Sequence, residues 1–233
     1  MVKIIKTTQF QLFIIIFITF LCYTSKFQNQ FVGDDYIWIR TWEDIRHIEK
    51  IPQFFLGYEL NDARIRYRPV GSTFLTFYYQ LFKDNALGWQ VAAFTTHLIS
   101  TLFVFLIART LTPALSQRER ERTKELASLR GVDWVRGVPL VAALIFGLHP
   151  VNVETASVIV TSIALGYCFG LASFYFYLKS EGRRIWAYIL SVIFFILFPK
   201  TKKLFLSHTK ISPNFSLPSS LYFILIFVLS NFI

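Results

Sequence analysis

The chain has 233 residues, of which 54% are hydrophobic and only 16% charged, with 26 Phe and a formal net charge of +10. So apolar a composition excludes an ordinary soluble domain and indicates an integral membrane protein. The Lys and Arg excess lies between apolar runs and not along one amphipathic face, which fits loops at membrane edges and argues against nucleic-acid binding.

Lys3 and Lys6 precede an apolar run from Phe10 to Tyr23, and no small-residue cleavage site follows it. This predicts an uncleaved first span with its N-terminus in the cytoplasm. Asp34 and Asp35 then fall in an outer loop close to the membrane surface, where an acid pair is cheap to leave wet and costly to bury. Next, Trp42, Ile45, Ile48 and Ile51 recur among Glu43, Asp44, Arg46, His47, Glu49 and Lys50. The spacing predicts one interfacial helix from Trp42 to Phe55, apolar side towards lipid, with His47 solvated and not a ligand. Pro69 suits the first turn of a helix over Val70 to Phe82. That stretch falls short of the ~20 residues a span needs, so it reads as juxtamembrane or re-entrant.

Trp89 to Ile107 is long enough to cross and ends at Arg109. His97 lies within it and needs a polar partner, either at a functional site or in a packing hydrogen bond. Residues 110–137 read as a flexible cytoplasmic loop, because Arg118 to Arg136 shows no apolar period. Part of it, Leu111 to Glu121, resembles translated bacterial intergenic repeats. Val138 to Leu148 is expected to run outward to His149-Pro150, Ala156 to Leu178 to return, and Ile185 to Phe198 to go out again. A last apolar piece covers Leu221 to Ile233. Cys22 and Cys168 fall inside apolar runs and read as small core residues, without disulfide or metal-ligand spacing.

This threading collects Asp34, Asp35, Arg66, Arg68, His149 and Glu154 on the outer side. Carboxylates can deprotonate a hydroxyl or hold a divalent cation, and an Arg fork matches phosphate oxygens. Sugar transfer from a lipid phosphate to a hydroxyl would use both; ordinary charge pairing between outer loops would use the same residues. A channel or transporter is disfavoured, because no paired broken helices occur in two corresponding halves.

The order of these pieces carries a resemblance. An acid pair (Phe31 to Asp35), Tyr67-Arg68-Pro69-Val70, a span bearing His97, and Leu148-His149-Pro150 followed by Glu154 resemble the GT-C multi-span glycosyltransferases. The branch is the O-mannosyltransferase-like one whose members usually carry tetratricopeptide repeats. The resemblance implies an all-α, polytopic, multi-pass fold in a bacterial inner membrane, with an outer juxtamembrane-helix loop over residues 25–88. It implies a polyprenyl-phosphate-linked sugar donor, a protein or glycan hydroxyl acceptor, and chemistry on the non-cytoplasmic face. Asp34 or Asp35 would be the base, or the pair would hold a divalent cation (Mg or Mn). Arg68 and Tyr67 would meet the donor phosphate, and His97, His149 and Glu154 would line the site.

The chain departs from that pattern at several places. Gln90 and Ala93 stand where relatives usually have His and Asn. Asn152 and Thr161-Ser162-Ile163-Ala164 replace a His and a Gly-Arg-x-Asp, and Pro199-Lys200-Thr201 replaces Ser-Lys-Glu. Residues 1–198 are therefore expected to be the N-terminal part of such a membrane domain, and 199–233 a divergent or truncated tail. On that reading the chain by itself is expected not to turn over. The alternative is a non-catalytic truncated remnant or a membrane-anchored binding subunit.

Overall fold

The computed structural model describes residues 8–31, 34–56, 69–122, 137–149, 162–180 and 184–197. Among these residues every regular element is helical. Six helices of ten residues or more set the frame: α1 (Thr8–Tyr23), α2 (Pro69–Phe82), α3 (Ala86–Arg122), α4 (Val138–Leu148), α5 (Ser162–Ser180) and α6 (Ile185–Leu197). Two stretches are long and apolar enough to cross a membrane: Thr8–Gln28, which is α1 with the 3₁₀ turn after it, and Ala86–Thr112 within α3. The sequence assigned spans to Val138–Leu148 and Ile185–Phe198 as well, where α4 and α6 form. These helices have 11 and 13 residues, or about 16–20 Å at 1.5 Å per residue, well under a ~30 Å hydrocarbon core.

Helix α3 is the axis. It packs against α4 on one side and α5 on another, and α1 closes onto α4. Ile15 of α1, Phe105 of α3 and Ala143 of α4 are buried together, with Leu12, Leu102, Leu106, Leu140 and Leu144 around them. Gly147 lets these helices approach: a Cβ there would lie 2.9 Å from Thr101 Cγ2 and 3.3 Å from Thr19 Oγ1. The hydroxyls of Thr95, Thr96, Ser100 and Thr101 each donate to the carbonyl four residues back. These four hydroxyls are thereby satisfied within an apolar helix. On the far side, the Ser173 hydroxyl of α5 donates to the Ser191 carbonyl of α6 at 2.8 Å.

Helix α3 also corrects the sequence reading of residues 110–137. The helix does not end at Arg109 but continues through Pro113 to Arg122, so the first part of the expected loop is helical. Ala114, Leu115, Gln117 and the Arg/Glu alternation are strong helix formers that need no apolar face. Residues 123–136 lie outside the described residues.

Residues 37–55 supply a second correction. Residues Trp42 to Phe55 are not one helix: a π turn (Ile37–Thr41), two 3₁₀ turns (Glu43–Arg46, Ile48–Lys50) and a short α-helix (Ile51–Phe55) follow one another. Their apolar side chains do not face outward together. Ile39, Trp42, Ile45 and Phe54 are buried against Leu75 of α2 and Trp89 of α3, while Ile48 is 50% exposed. Protein covers these four side chains. Arg46 fastens the segment to α2, with its guanidinium over the Tyr79 ring and its carbonyl accepting from Gln80 Nε2 at 2.8 Å. His47 is exposed beside Glu49, as expected of a solvated residue, at 3.0 Å. Glu49's own backbone amide, and to a lesser degree His47, hold that carboxyl below its usual range. Cys22 and Cys168 are both free, but Cys22 is exposed and not a core residue.

A tight turn joins α2 to α3. Lys83 adopts a left-handed backbone (φ 46°), and its amide donates to the Tyr79 carbonyl at 2.8 Å. The Asn85 side chain then caps α3 by accepting from the Leu87 amide at 3.1 Å. A left-handed position after a helix suits Gly better than a residue with a Cβ. Lys83→Gly should therefore stabilise the protein by about 0.5–1 kcal/mol. Thermal unfolding in detergent would read this as a small rise in Tm, and a fall would show that the Lys83 side chain itself holds the turn.

Candidate functional site

Described polar groups converge where α1 ends. The last carbonyls of a helix have no partner within it, and α4 presents its Gly147 carbonyl to two donors. Tyr23 Oη of α1 donates to it at 3.2 Å, and His97 Nε2 of α3 donates at 3.0 Å. A carbonyl can only accept, so the Nε2 nitrogen carries the proton. The His97 ring lies 5.3 Å from the Tyr23 ring and stacks on Phe146 at 6.0 Å, centroid to centroid. The partner that His97 needs is thus a backbone carbonyl, which is the packing alternative and not a ligand contact.

Beyond Tyr23 the chain tightens into a 3₁₀ turn, Thr24–Gln28. Residues three apart eclipse in such a turn, so Lys26 follows Tyr23 on the inward face and is only 4% exposed. Asp34–Tyr36 is a single helical turn. Asp35 and Ile39, four residues apart, are both buried, with Asp35 4% exposed, whereas Tyr36 and Arg40 point out. Lys26 and Asp35 lie within Coulombic range of each other, and Lys26 is within range of His97 as well.

The expected wet acid loop is therefore corrected at Asp35, which is buried. The cost of burying a carboxylate is offset here by a buried ammonium nearby. The backbone of both acids is helical.

Three of the sequence-predicted site residues are brought to one end of the helices. Asp35 and His97 are buried there, and His149 follows α4 two residues after Gly147, with its side chain exposed. The side chain of Asp34, and Arg66, Tyr67, Arg68 and Glu154 entirely, lie outside the described residues. Among the described residues no three His, Cys, Asp or Glu side chains converge as they would around a metal ion. Lys26 is a positive charge within range of Asp35.

Sequence reasoning missed Tyr23 and Lys26. Lys26 reads as the basic residue that flanks a membrane span, and its neighbour on the inward face, Tyr23, reads as an interface aromatic. Gln90, two helical turns before His97, is 1% exposed and, among the described residues, its Oε1 has no hydrogen-bond partner; Thr19 Oγ1 likewise has none.

No protein-family model, no curated protein and no solved structure matches this chain.

Proposed function

We propose that the chain is part of a multi-pass membrane glycosyltransferase of the GT-C type. Its donor is a polyprenyl-phosphate-linked sugar, its acceptor a protein or glycan hydroxyl, and its working face the non-cytoplasmic one. The observation that carries the reading is Asp35: a carboxylate buried just past a helix long enough to cross a membrane, beside the polar junction of three helices. In a dry setting a carboxylate is a stronger base than in water, which suits proton removal from an acceptor hydroxyl. The apolar surfaces of α1 and α6, with Phe13, Leu21, Ile185 and Ile196 all exposed, support a lipid surround. Arg68 and Tyr67 supply the donor-phosphate contacts in this proposal, Asp34 supports Asp35 or shares a divalent cation with it, and His149 and Glu154 stand in the site wall.

A second reading is a membrane-anchored binding subunit without catalysis. The burial of Asp35 beside Lys26 favours it, because an acid already neutralised inside the protein can be purely structural.

A fusion supplying the later spans of a complete enzyme of this class separates the two. With polyprenyl-phosphate sugars and hydroxyl acceptors, the fusion should transfer sugar. Asp35→Asn at unchanged protein level should lower transfer by about 10²–10⁴-fold, the usual loss on removing a general base. Transfer that survives Asp35→Asn would remove Asp35 from the chemistry, and a wild-type fusion without transfer would leave the binding reading.

A further inference from the structure

We infer that the α5–α6 turn, with Lys179 and Arg184 beside Trp186 and Tyr188, is a docking surface for the headgroups of anionic phospholipids. The inference rests on the lipid surround proposed above and not on the chemistry proposed with it.

The two ends of α3 differ in charge. The described carboxylate side chains are those of Asp35, Glu43, Asp44, Glu49 and Asp84. They lie at the end where α3 begins. Two of the cations there are paired, Arg40 with Asp84 at 3.7 Å and Lys50 with Asp44 at 3.8 Å.

The other end carries only positive charge among the described side chains. Tyr175 of α5 meets Phe103 of α3 ring to ring at 5.9 Å, and Cys168 of α5 is hydrogen-bonded to Ser100 of α3. Helix α5 therefore runs parallel to α3, and its last turn reaches about the height of Arg109. Arg109, Lys179 and Arg184 are all exposed there, and among the described residues none of them forms an ion pair. Lys179 Nζ lies over the Tyr175 ring at 6.0 Å. The Arg184 amide donates to the Ser180 carbonyl at 2.9 Å, which keeps Arg184 close to the end of α5. Glu181 and Arg183, between them in the chain, cancel in formal charge.

An apolar wall begins at the same turn. Ile185, Trp186, Tyr188 and Ile189 of α6 are each more than half exposed, while Ala187 and Ser191 are buried. Trp and Tyr, apolar in body and polar at one atom, favour the membrane–water boundary. Lys and Arg beside them can carry their charge to the headgroup level. A ligand that satisfies both parts has an anionic head joined to an apolar tail, which a free phosphate ion lacks.

The test uses the full chain in vesicles of phosphatidylcholine and phosphatidylglycerol with a trace of either lipid spin-labelled. The fraction of label immobilised by the protein is read. Labelled phosphatidylglycerol should be preferred, and less so at high salt. Lys179→Gln and Arg184→Gln should each lower the preference, by up to about fivefold per cation removed. Lys179→Arg with Arg184→Lys keeps the charge and should keep the preference. Lys50→Gln with Lys83→Gln, at the far end, should leave it unchanged.

An unchanged preference in the Gln variants at positions 179 and 184, or an equal fall in the far-end variant, would overturn the surface. Displacement of the labelled lipid by inorganic phosphate at constant ionic strength would overturn the lipid as its occupant. Immobilisation of neither lipid would overturn the lipid surround itself. An inactive fusion with the lipid preference intact would overturn only the transferase reading.

Discussion

Trp89→Ala should cost about 3–5 kcal/mol, the range for deleting a fully buried large aromatic, and should release residues 37–56 before the helices separate. Trp89 is 1% exposed at the centre of the cluster formed by Ile39, Trp42, Ile45, Phe54 and Leu75. Its ring meets Tyr78 edge-on at 6.0 Å and lies 6.4 Å from Phe82. The indole N–H donates to the Lys83 carbonyl at 2.8 Å, so the same residue locks the α2–α3 turn. Beside the cluster, Arg46 on Tyr79 and Gln80 and the ion pair of Arg40 with Asp84 at 3.7 Å also tie residues 37–56 to α2 and its following turn. Limited proteolysis should therefore cut this segment in Trp89→Ala long before the wild type. Trp89→Phe keeps most of the ring volume and loses only the N–H, and should cost about 1 kcal/mol. Equal protease resistance in wild type and Trp89→Ala would show that the segment is held by something other than this cluster.

Gly147→Leu should be nearly as damaging, by roughly 3–5 kcal/mol from overpacking together with weakened hydrogen bonds. Even a single Cβ at this position lies 2.9 Å from Thr101 Cγ2. Gly147→Ala can be relieved by a small movement of that methyl and should cost about 1 kcal/mol. A branched or longer side chain must push α4 away from α1 and α3. That displacement draws the Gly147 carbonyl off both Tyr23 and His97. Thermal unfolding in detergent of Gly147→Ala, Gly147→Val and Gly147→Leu should therefore fall in graded order. Identical losses across the three would mean that conformational freedom of Gly147, and not space, is what the site requires.

Much of the helical frame is legible in the sequence because it rests on local signals. The apolar run of α1, Pro69 at the start of α2, and the long apolar stretch of α3 need no tertiary information. The outer segment was misread because its apolar residues suggested a helical period without fixing which helix. Trp42, Ile45, Ile48 and Ile51 recur strictly every three residues, a spacing that drifts around an α-helix but repeats in a 3₁₀ turn. Two such turns are what form there, so the signal was present in the spacing. The site was legible only in part. Asp35 and His97 stand out as polar groups in or near apolar runs, but nothing in the residues beside Asp35 marks it as buried. The partner of His97 is a main-chain carbonyl fifty residues away, and a main-chain group leaves no trace in residue identity.

The length of α3 has a mechanical consequence. Its 37 residues make a rod of about 55 Å at 1.5 Å per residue. Of these, Ala86–Thr112 is the stretch able to cross a bilayer, and Pro113–Arg122 continues the same helix past it. With the crossing part fixed at its Trp89 end, a 10° change in tilt would sweep the charged tip sideways by on the order of 10 Å. Pro113 stands at the foot of the protruding piece, where its missing N–H leaves the Arg109 carbonyl without its helical bond and lowers the bending stiffness. The helix is thus a mast stepped on a compliant joint: load applied at the Arg/Glu tip bends it at Pro113 before it can rock the span that carries His97.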